Sequence, residues 1–264
     1  MRVGERLRPI LEAVTARSAE RRARKSLADL RAELEVEPAR RAAFADALSA
    51  PGLAFIAECK RRAPSAGELS QEASLDERIT AYERGGAAAL SILTEEDHFQ
   101  GSLADLRAAP AVGLPRLRKD FLLDEGMVLE AQLAGASAVL LIAACLEPAR
   151  LAELREVARE AGLGVLIEVH DAEELELAAT HAPEALGVNA RDLRSFEVDL
   201  GVSLDLLPRM PEGVARVAES GLATLADLER VRAAGADAAL VGTALMRSAD
   251  PEATLRQWRE ALGG

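Results

Sequence analysis

A chain of 264 residues, 49% of them hydrophobic, can bury one large core, while a formal charge of −12 leaves no basic surface suited to nucleic acid. No run approaches the roughly 18 apolar residues of a membrane span, and the opening MRVGERLRPI lacks the apolar stretch of a secretory signal. Two cysteines, Cys59 and Cys145, form no disulfide framework in a chain this long and suit a reducing, cytoplasmic setting.

Residues 1–50 read as helices, with Leu7, Ile10, Leu11 and Val14 at helical spacing. They form an extension, and the basic run Arg21, Arg22, Arg24, Lys25 reads as a solvated helix face. From residue 51 onward, eight short apolar runs recur: LAFIAE, AALSIL, LPRLR, SAVLLIA, GVLIEV, EALGVN, VARVAES and DAALVG. Helix-period segments such as LDERITAYERGG and TLADLERVRAAGA fill the gaps, several ending at a glycine (Gly86, Gly135, Gly162, Gly235) that can take a left-handed cap. Alternation of this kind favours parallel strands joined by crossover helices, and eight units suit a closed barrel better than an open doubly wound sheet. The expected architecture is an α/β (βα)8 TIM barrel in a single domain over 1–264, with a helical extension over 1–50 and the barrel over 51–264.

Active sites of such barrels lie at the C-terminal strand ends, so charged residues closing an apolar run are the first candidates. Strand 1 ends in Glu58-Cys59-Lys60, where period-two alternation puts Glu58 and Lys60 on one face and turns Cys59 towards the helices. Strand 3 ends in Lys119, strand 5 in Glu168 and His170, strand 6 in Asn189 and Arg191, and strand 7 in Glu219 and Ser220. Composition singles out some of these: of 32 basic residues only Lys25, Lys60 and Lys119 are lysine, and Asn189 is the one asparagine. Arginine does not release its proton near neutral pH, whereas a lysine can have its pKa lowered by burial and neighbouring cations, so Lys60 and Lys119 read as acid–base groups. Gly221 after strand 7 and Gly242-Thr243 after strand 8 read as helix openings that bind a phosphate, a recurring barrel position. His98, His170 and His181 lack zinc-ligand spacing, and no glycine-rich dinucleotide or P-loop pattern follows a strand, so neither metal nor nucleotide cofactor is expected. Trp258 on the terminal helix reads as packing.

In order along the chain, IAECKRRAPSAG, SILTEEDHFQGSLADL, LRKDFLLDE, ASAVLLIAACL, IEVHDAEEL, GVNARDLRSFEVDL, AESGLATLADL and GADAALVGTALM resemble the indole-3-glycerol-phosphate synthase family. The resemblance implies conversion of 1-(2-carboxyphenylamino)-1-deoxyribulose 5-phosphate to indole-3-glycerol phosphate in tryptophan biosynthesis, with loss of carbon dioxide and water and without a cofactor. It further implies that Lys119 protonates the sugar carbonyl oxygen, and that Lys60 contacts phosphate and serves the dehydration. Glu58 and Glu168 manage proton removal on this reading, positioned by Asn189, Glu219 and Ser220. Arg191 meets substrate anions, and Phe99, Phe121, Leu140 and Leu193 form an apolar pocket for the anthranilate ring. One departure is Ala63-Pro64-Ser65 where the family has a serine before Pro-Ser, from which a weaker substrate affinity is expected; Thr243 keeps a hydroxyl at the last helix opening. A phosphoribosylanthranilate-isomerase-like barrel would need a Cys/Asp pair, for which Cys59 is out of phase. A catalytically silent barrel binding a phosphorylated metabolite would keep the glycines but need no Glu58, Lys119 or Glu168. Oligomeric state stays open in the sequence, with a monomer slightly favoured.

Overall fold

A computed structural model describes residues 4–36, 38–60, 62–63, 67–68, 74–109 and 113–263. Eight parallel strands close a barrel: β1 (Ala54–Cys59), β2 (Ala89–Leu93), β3 (Arg116–Lys119), β4 (Ala138–Ile142), β5 (Gly164–Val169), β6 (Ala185–Asn189), β7 (Ala215–Glu219) and β8 (Ala238–Val241). Each pairs with the next, and β8 returns to β1 with Ile56 opposite Leu240. Every residue of β1, β4 and β5 is buried, as expected for strands covered on both faces, and this is why they read as near-continuous apolar runs. Of the Ala63-Pro64-Ser65 departure, Pro64 and Ser65 lie outside the described residues.

The connecting helices start where the sequence supplies caps. Ser74 opens α4 (Leu75–Gly85) and Thr224 opens α10 (Leu225–Ala233) with capping boxes, while Asp124 and Asp171 cap α6 (Glu125–Leu133) and α8 (Ala172–Ala179). Gly86, Gly135, Gly162 and Gly235 all take positive φ at the turns into the next strand.

The extension covers both ends of the barrel. At the N-terminal end, α3 (Pro38–Leu48) packs Phe44 and Leu48, both fully buried, under the strands, with the Phe44 ring against Gly164 at the start of β5. α1 (Arg8–Arg24) lies at the opposite end, burying Leu7, Ile10, Leu11 and Val14 as their spacing requires. There Arg17 pairs with Glu95 and Asp97 beyond β2, Arg6 donates to the Ser195 carbonyl beyond β6, and Ser18 bonds Asp124 beyond β3.

Two expectations need correction. The basic run on α1 is not simply a solvated face: Arg22 and Arg21 converge on Glu130 of α6, and Lys25 pairs with Glu33. The low dielectric beneath α1 makes Glu130, only 8% exposed, a better partner than water. Gly221, moreover, does not open a helix, because α10 begins at Leu225 behind its Thr224 cap.

Candidate active site

At the C-terminal strand ends a cavity of about 820 Å³ opens beneath α1. Its lining includes every residue given a catalytic or substrate-binding role in the sequence, though not His170, with Glu58, Lys60, Lys119, Glu168, Asn189, Glu219 and Ser220 on the polar side. Phe99, Phe121, Leu140 and Leu193 supply apolar wall, and Arg191, Gly221, Gly242 and Thr243 line the remainder. Alternation explains the selection: Leu117 and Lys119 share one face of β3, while Arg118 points the other way into a buried cluster. There Arg118 donates to Thr94 (2.9 Å), Asp120 (2.9 Å) and the Met127 carbonyl (2.6 Å), which fixes the strand that carries Lys119.

The Lys119 ammonium lies 2.9 Å from Oε2 of Glu168 and 3.3 Å from Oε2 of Glu219. Lys60 forms a second cation–carboxylate pair with Glu58. Burial works against the charge on Lys119, but Glu168, Glu219 and Glu58 outweigh it and hold the group above the ordinary lysine value. The expected lowering by burial and neighbouring cations is therefore reversed, because the neighbours are carboxylates. Glu168 feels the same burial yet is held well below the usual carboxylate range by Lys119 and His170. Glu219 goes the other way: burial, reinforced by the charge on Glu168, prevails over Lys119 and raises it. Neither oxygen of Glu219 has a well-aligned hydrogen bond among the described residues. One carboxylate is thus kept ionised and its neighbour favours its proton, the separation that acid–base chemistry uses.

Asn189 accepts the backbone N–H of Arg191 (3.0 Å), and the Arg191 guanidinium donates to the Phe196 carbonyl (2.9 Å), so the β6 loop folds back over the mouth. After β7, Ser220 and Gly221 both take positive φ, at 65° and 73°, a sharp reversal that is strained for serine and brings both to the cavity. Gly242 is the uncapped start of α11 (Thr243–Arg247), leaving helix N–H groups without a side-chain acceptor.

Several lining residues escaped the sequence reading. Ile10 reaches the cavity from α1, and Phe196 and Val198 from the β6 loop. Buried Glu95 accepts the N–H groups of Asp97, His98 and Phe99 (3.1, 2.7 and 3.1 Å), so it shapes the turn that presents Phe99. An acid two residues beyond the end of β2 was the available signal for it. Trp258 of α12 (Pro251–Ala261) does pack, stacking on Phe55 at 6.0 Å, and also borders the cavity. Cys59 is buried on the helix side, its thiol pushed up to about 12 by burial. Among the described residues no group of three or more His, Cys, Asp or Glu could hold a metal ion, and no helix is long and apolar enough to cross a membrane.

Fold and site together define a (βα)8 barrel whose mouth combines two lysine–carboxylate pairs with an apolar wall. Residues 7–258 match the family model described as indole-3-glycerol phosphate synthase. Proteins named indole-3-glycerol phosphate synthase from Opitutus terrae and Mycolicibacterium gilvum are each 45% identical, over 86% and 93% of this chain and 89% and 90% of their own. Another from Leifsonia xyli is 49% identical over 81% of this chain and 83% of its own. The chain belongs to the indole-3-glycerol phosphate synthase family, carboxy-lyases of tryptophan biosynthesis. Solved structures of 3-hexulose-6-phosphate synthase, such as one with TM-score 0.61 at 16% identity covering 80% of this chain and 100% of that one, share the fold.

Proposed function

We propose that this chain closes the indole ring on 1-(2-carboxyphenylamino)-1-deoxyribulose 5-phosphate, releasing carbon dioxide and water to give indole-3-glycerol phosphate. The observation that carries the reading is Lys119, an ammonium between Glu168 and Glu219 in a cavity walled by Phe121 and Leu140. In the ring-closing step, the aromatic carbon bearing the carboxylate attacks the sugar carbonyl carbon, and Lys119 gives its proton to the oxygen that becomes an alkoxide. Such an oxygen is more basic than a lysine amine, so an ammonium held above its ordinary value can still donate. The carboxylate then leaves as carbon dioxide, its bonding pair restoring the ring, and an apolar wall favours the neutral product over the anion.

Dehydration follows: Glu168, already ionised, takes a proton from the closed ring system, and the hydroxyl leaves as water with a proton from Lys60. Glu58 orients Lys60, to which it is paired. Asn189, Glu219 and Ser220 position these groups and the substrate hydroxyls. The phosphate lies against Lys60, Gly221, Gly242 and Thr243, where a cation and uncapped N–H groups meet it. Arg191 takes the substrate's other anion at the mouth.

No cofactor enters these steps. The reading takes residues 1–264 as one domain, since α1 roofs the site and α3 plugs the barrel, and as a protein of the cytoplasm, where Cys59 and Cys145 would stay reduced, with its oligomeric state open and a monomer slightly favoured.

The test is incubation of purified protein with the substrate while indole fluorescence is followed, with Lys119→Ala alongside. Product from the wild type and at least a 100-fold smaller turnover number in the variant, about what one general acid supplies, is expected. No product from a folded wild type that binds the substrate would leave a silent phosphometabolite-binding barrel as the account.

A further inference from the structure

Glu168 is a carboxylate of the cavity gripped from two directions, by a lysine on one oxygen and a histidine on the other. Its Oε2 faces Lys119 at 2.9 Å, while its Oε1 lies 3.2 Å from Nε2 of His170. His170 itself has no freedom to turn. Oε2 of Glu174 accepts both its backbone N–H (2.8 Å) and meets its Nδ1 (3.1 Å), and Glu174 stands in the first turn of α8, which Asp171 caps through the Glu174 N–H (2.9 Å). With Nδ1 committed to Glu174, the ring can only offer Nε2 to Glu168. The result is a line of alternating charge, Glu174, His170, Glu168, Lys119, running from the α8 cap to the centre of the mouth, where Glu219 ends it with a carboxyl that favours its proton.

We propose that His170, anchored by Glu174, is a positioning residue for the ring closure, holding Glu168 ionised with one oxygen turned to Lys119. This rests on the reaction proposed above. A carboxylate with a cation on each oxygen cannot rotate without breaking one pair, and it resists protonation when a neighbouring acid is raised. Without His170, Glu168 would be held through Lys119 alone, in direct competition with Glu219 3.3 Å from the same ammonium. His170 thereby separates the protonation states of two carboxylates that share one lysine.

Other charges around the imidazole do not reverse this. Lys119 from β3 lies beyond Glu168, and on that side Glu58 from β1 adds negative potential while Glu219 from β7 favours its proton. Cys145, in the turn after β4, faces Glu168 and Glu174 with its thiol raised and neutral, burial being the main cause. Arg194 in the β6 loop acts on Glu174 from the exposed side, together with Asp171. Burial opposes charge on the imidazole, yet Glu168 and Glu174 prevail and push it up to about 10.

The experiment compares the full chain with His170→Gln and Glu174→Gln, measuring kcat and KM against pH and recording side-chain nitrogen NMR of the histidines in the wild type. Glutamine keeps a polar amide facing Glu168 but no charge. His170→Gln is expected to lower kcat about tenfold with KM within about twofold, and to move the acid limb of the kcat profile up by about one pH unit, because Glu168 then protonates more readily. Glu174→Gln should act in the same direction and less. The wild-type imidazole should carry both protons through neutral pH, unlike a histidine of ordinary pKa. A neutral imidazole at neutral pH would overturn the proposal, as would an unchanged kcat or a loss uniform across pH. If His170→Gln fails to fold, Glu174→Gln and the wild-type spectrum decide alone. Absence of product from the wild type would instead sink the ring-closure reading, and the spectrum would still report whether His170 is the charged partner of Glu168.

Discussion

A Cβ on Gly187 would collide with Oε1 of Glu219, so the carboxylate of β7 occupies space that only a glycine on β6 leaves open. Gly187 is also the register partner of Glu168 on β5, which makes it the spacer between the two carboxylates that flank Lys119. In Gly187→Ala the obstacle is the end of a flexible side chain, so the barrel should fold and Glu219 should swing away. The expected outcome is a kcat about tenfold lower with a melting temperature within a few degrees of wild type. Kinetics and a thermal melt on one preparation check this, and an unchanged kcat would remove Glu219 from the positioning machinery.

Glu168 and Glu219 should respond oppositely to amide substitution. Folding raises Glu219, so its contribution to stability is present below the ordinary glutamate value of 4.5 and is lost as pH rises through its higher folded value. Folding depresses Glu168, whose contribution is present above 4.5 and is lost as pH falls through its lower folded value. Glu219→Gln is therefore expected to raise the melting temperature at alkaline pH and change little under acid. Glu168→Gln should lower it at neutral pH, leaving Lys119 and His170 without their shared partner, and should remove most turnover. Melts at acidic, neutral and alkaline pH separate the two, and equal behaviour would refute the division of protonation states.

What the sequence made legible was whatever depends on local period. Glu58 and Lys60 could be placed on one face, and Lys119, Glu168 and Asn189 at strand ends, because strand alternation and barrel topology together leave no other place for them. Rarity helped, since a lysine or asparagine in a chain that writes arginine stands out. Contacts made across hundreds of residues were not legible: Ile10 reaches the cavity only because α1 crosses the barrel, and Phe44 plugs its far end only because α3 folds under it. The direction of the Lys119 shift depends on how many carboxylates converge from other strands, which no window around residue 119 contains. Gly221 was placed at a helix start from its neighbours, whereas the Thr224 capping box sets that boundary further on.

Arg191 should act on binding more than on chemistry. Its guanidinium is committed through one nitrogen to the Phe196 carbonyl at 2.9 Å, which aims the planar group and leaves further donors for a substrate anion. A lysine ammonium is a compact point charge without the planar fork, so it does not hold the loop carbonyl and a substrate anion in the same fixed geometry. Arg191→Lys is expected to raise KM about tenfold, an effect of about 1.4 kcal/mol, with kcat nearly unchanged. Steady-state kinetics over a wide substrate range decide this; a fall in kcat at constant KM would move Arg191 from binding into the reaction.

The extension's attachment rests on a charge cluster that can be opened at one residue. Glu130 of α6, 8% exposed, meets Arg22, Arg21 at 3.2 Å and buried Arg118 at 3.9 Å. Removing one partner from a buried ion cluster leaves charges without compensation, typically at a cost of about 3 kcal/mol. In a chain of this length that corresponds to a melting temperature lower by roughly 10 °C for Glu130→Gln. Because Arg118 sits beside Lys119 on β3 and α1 carries Ile10 into the cavity, the same change should raise KM by loosening the roof. It should leave the pH profile alone, since Glu130 faces α1 and not the Lys119 cluster. Loss of stability with unchanged KM would mean that α1 stays docked through its apolar face, Leu7, Leu11 and Val14, and that the arginines contribute to stability alone.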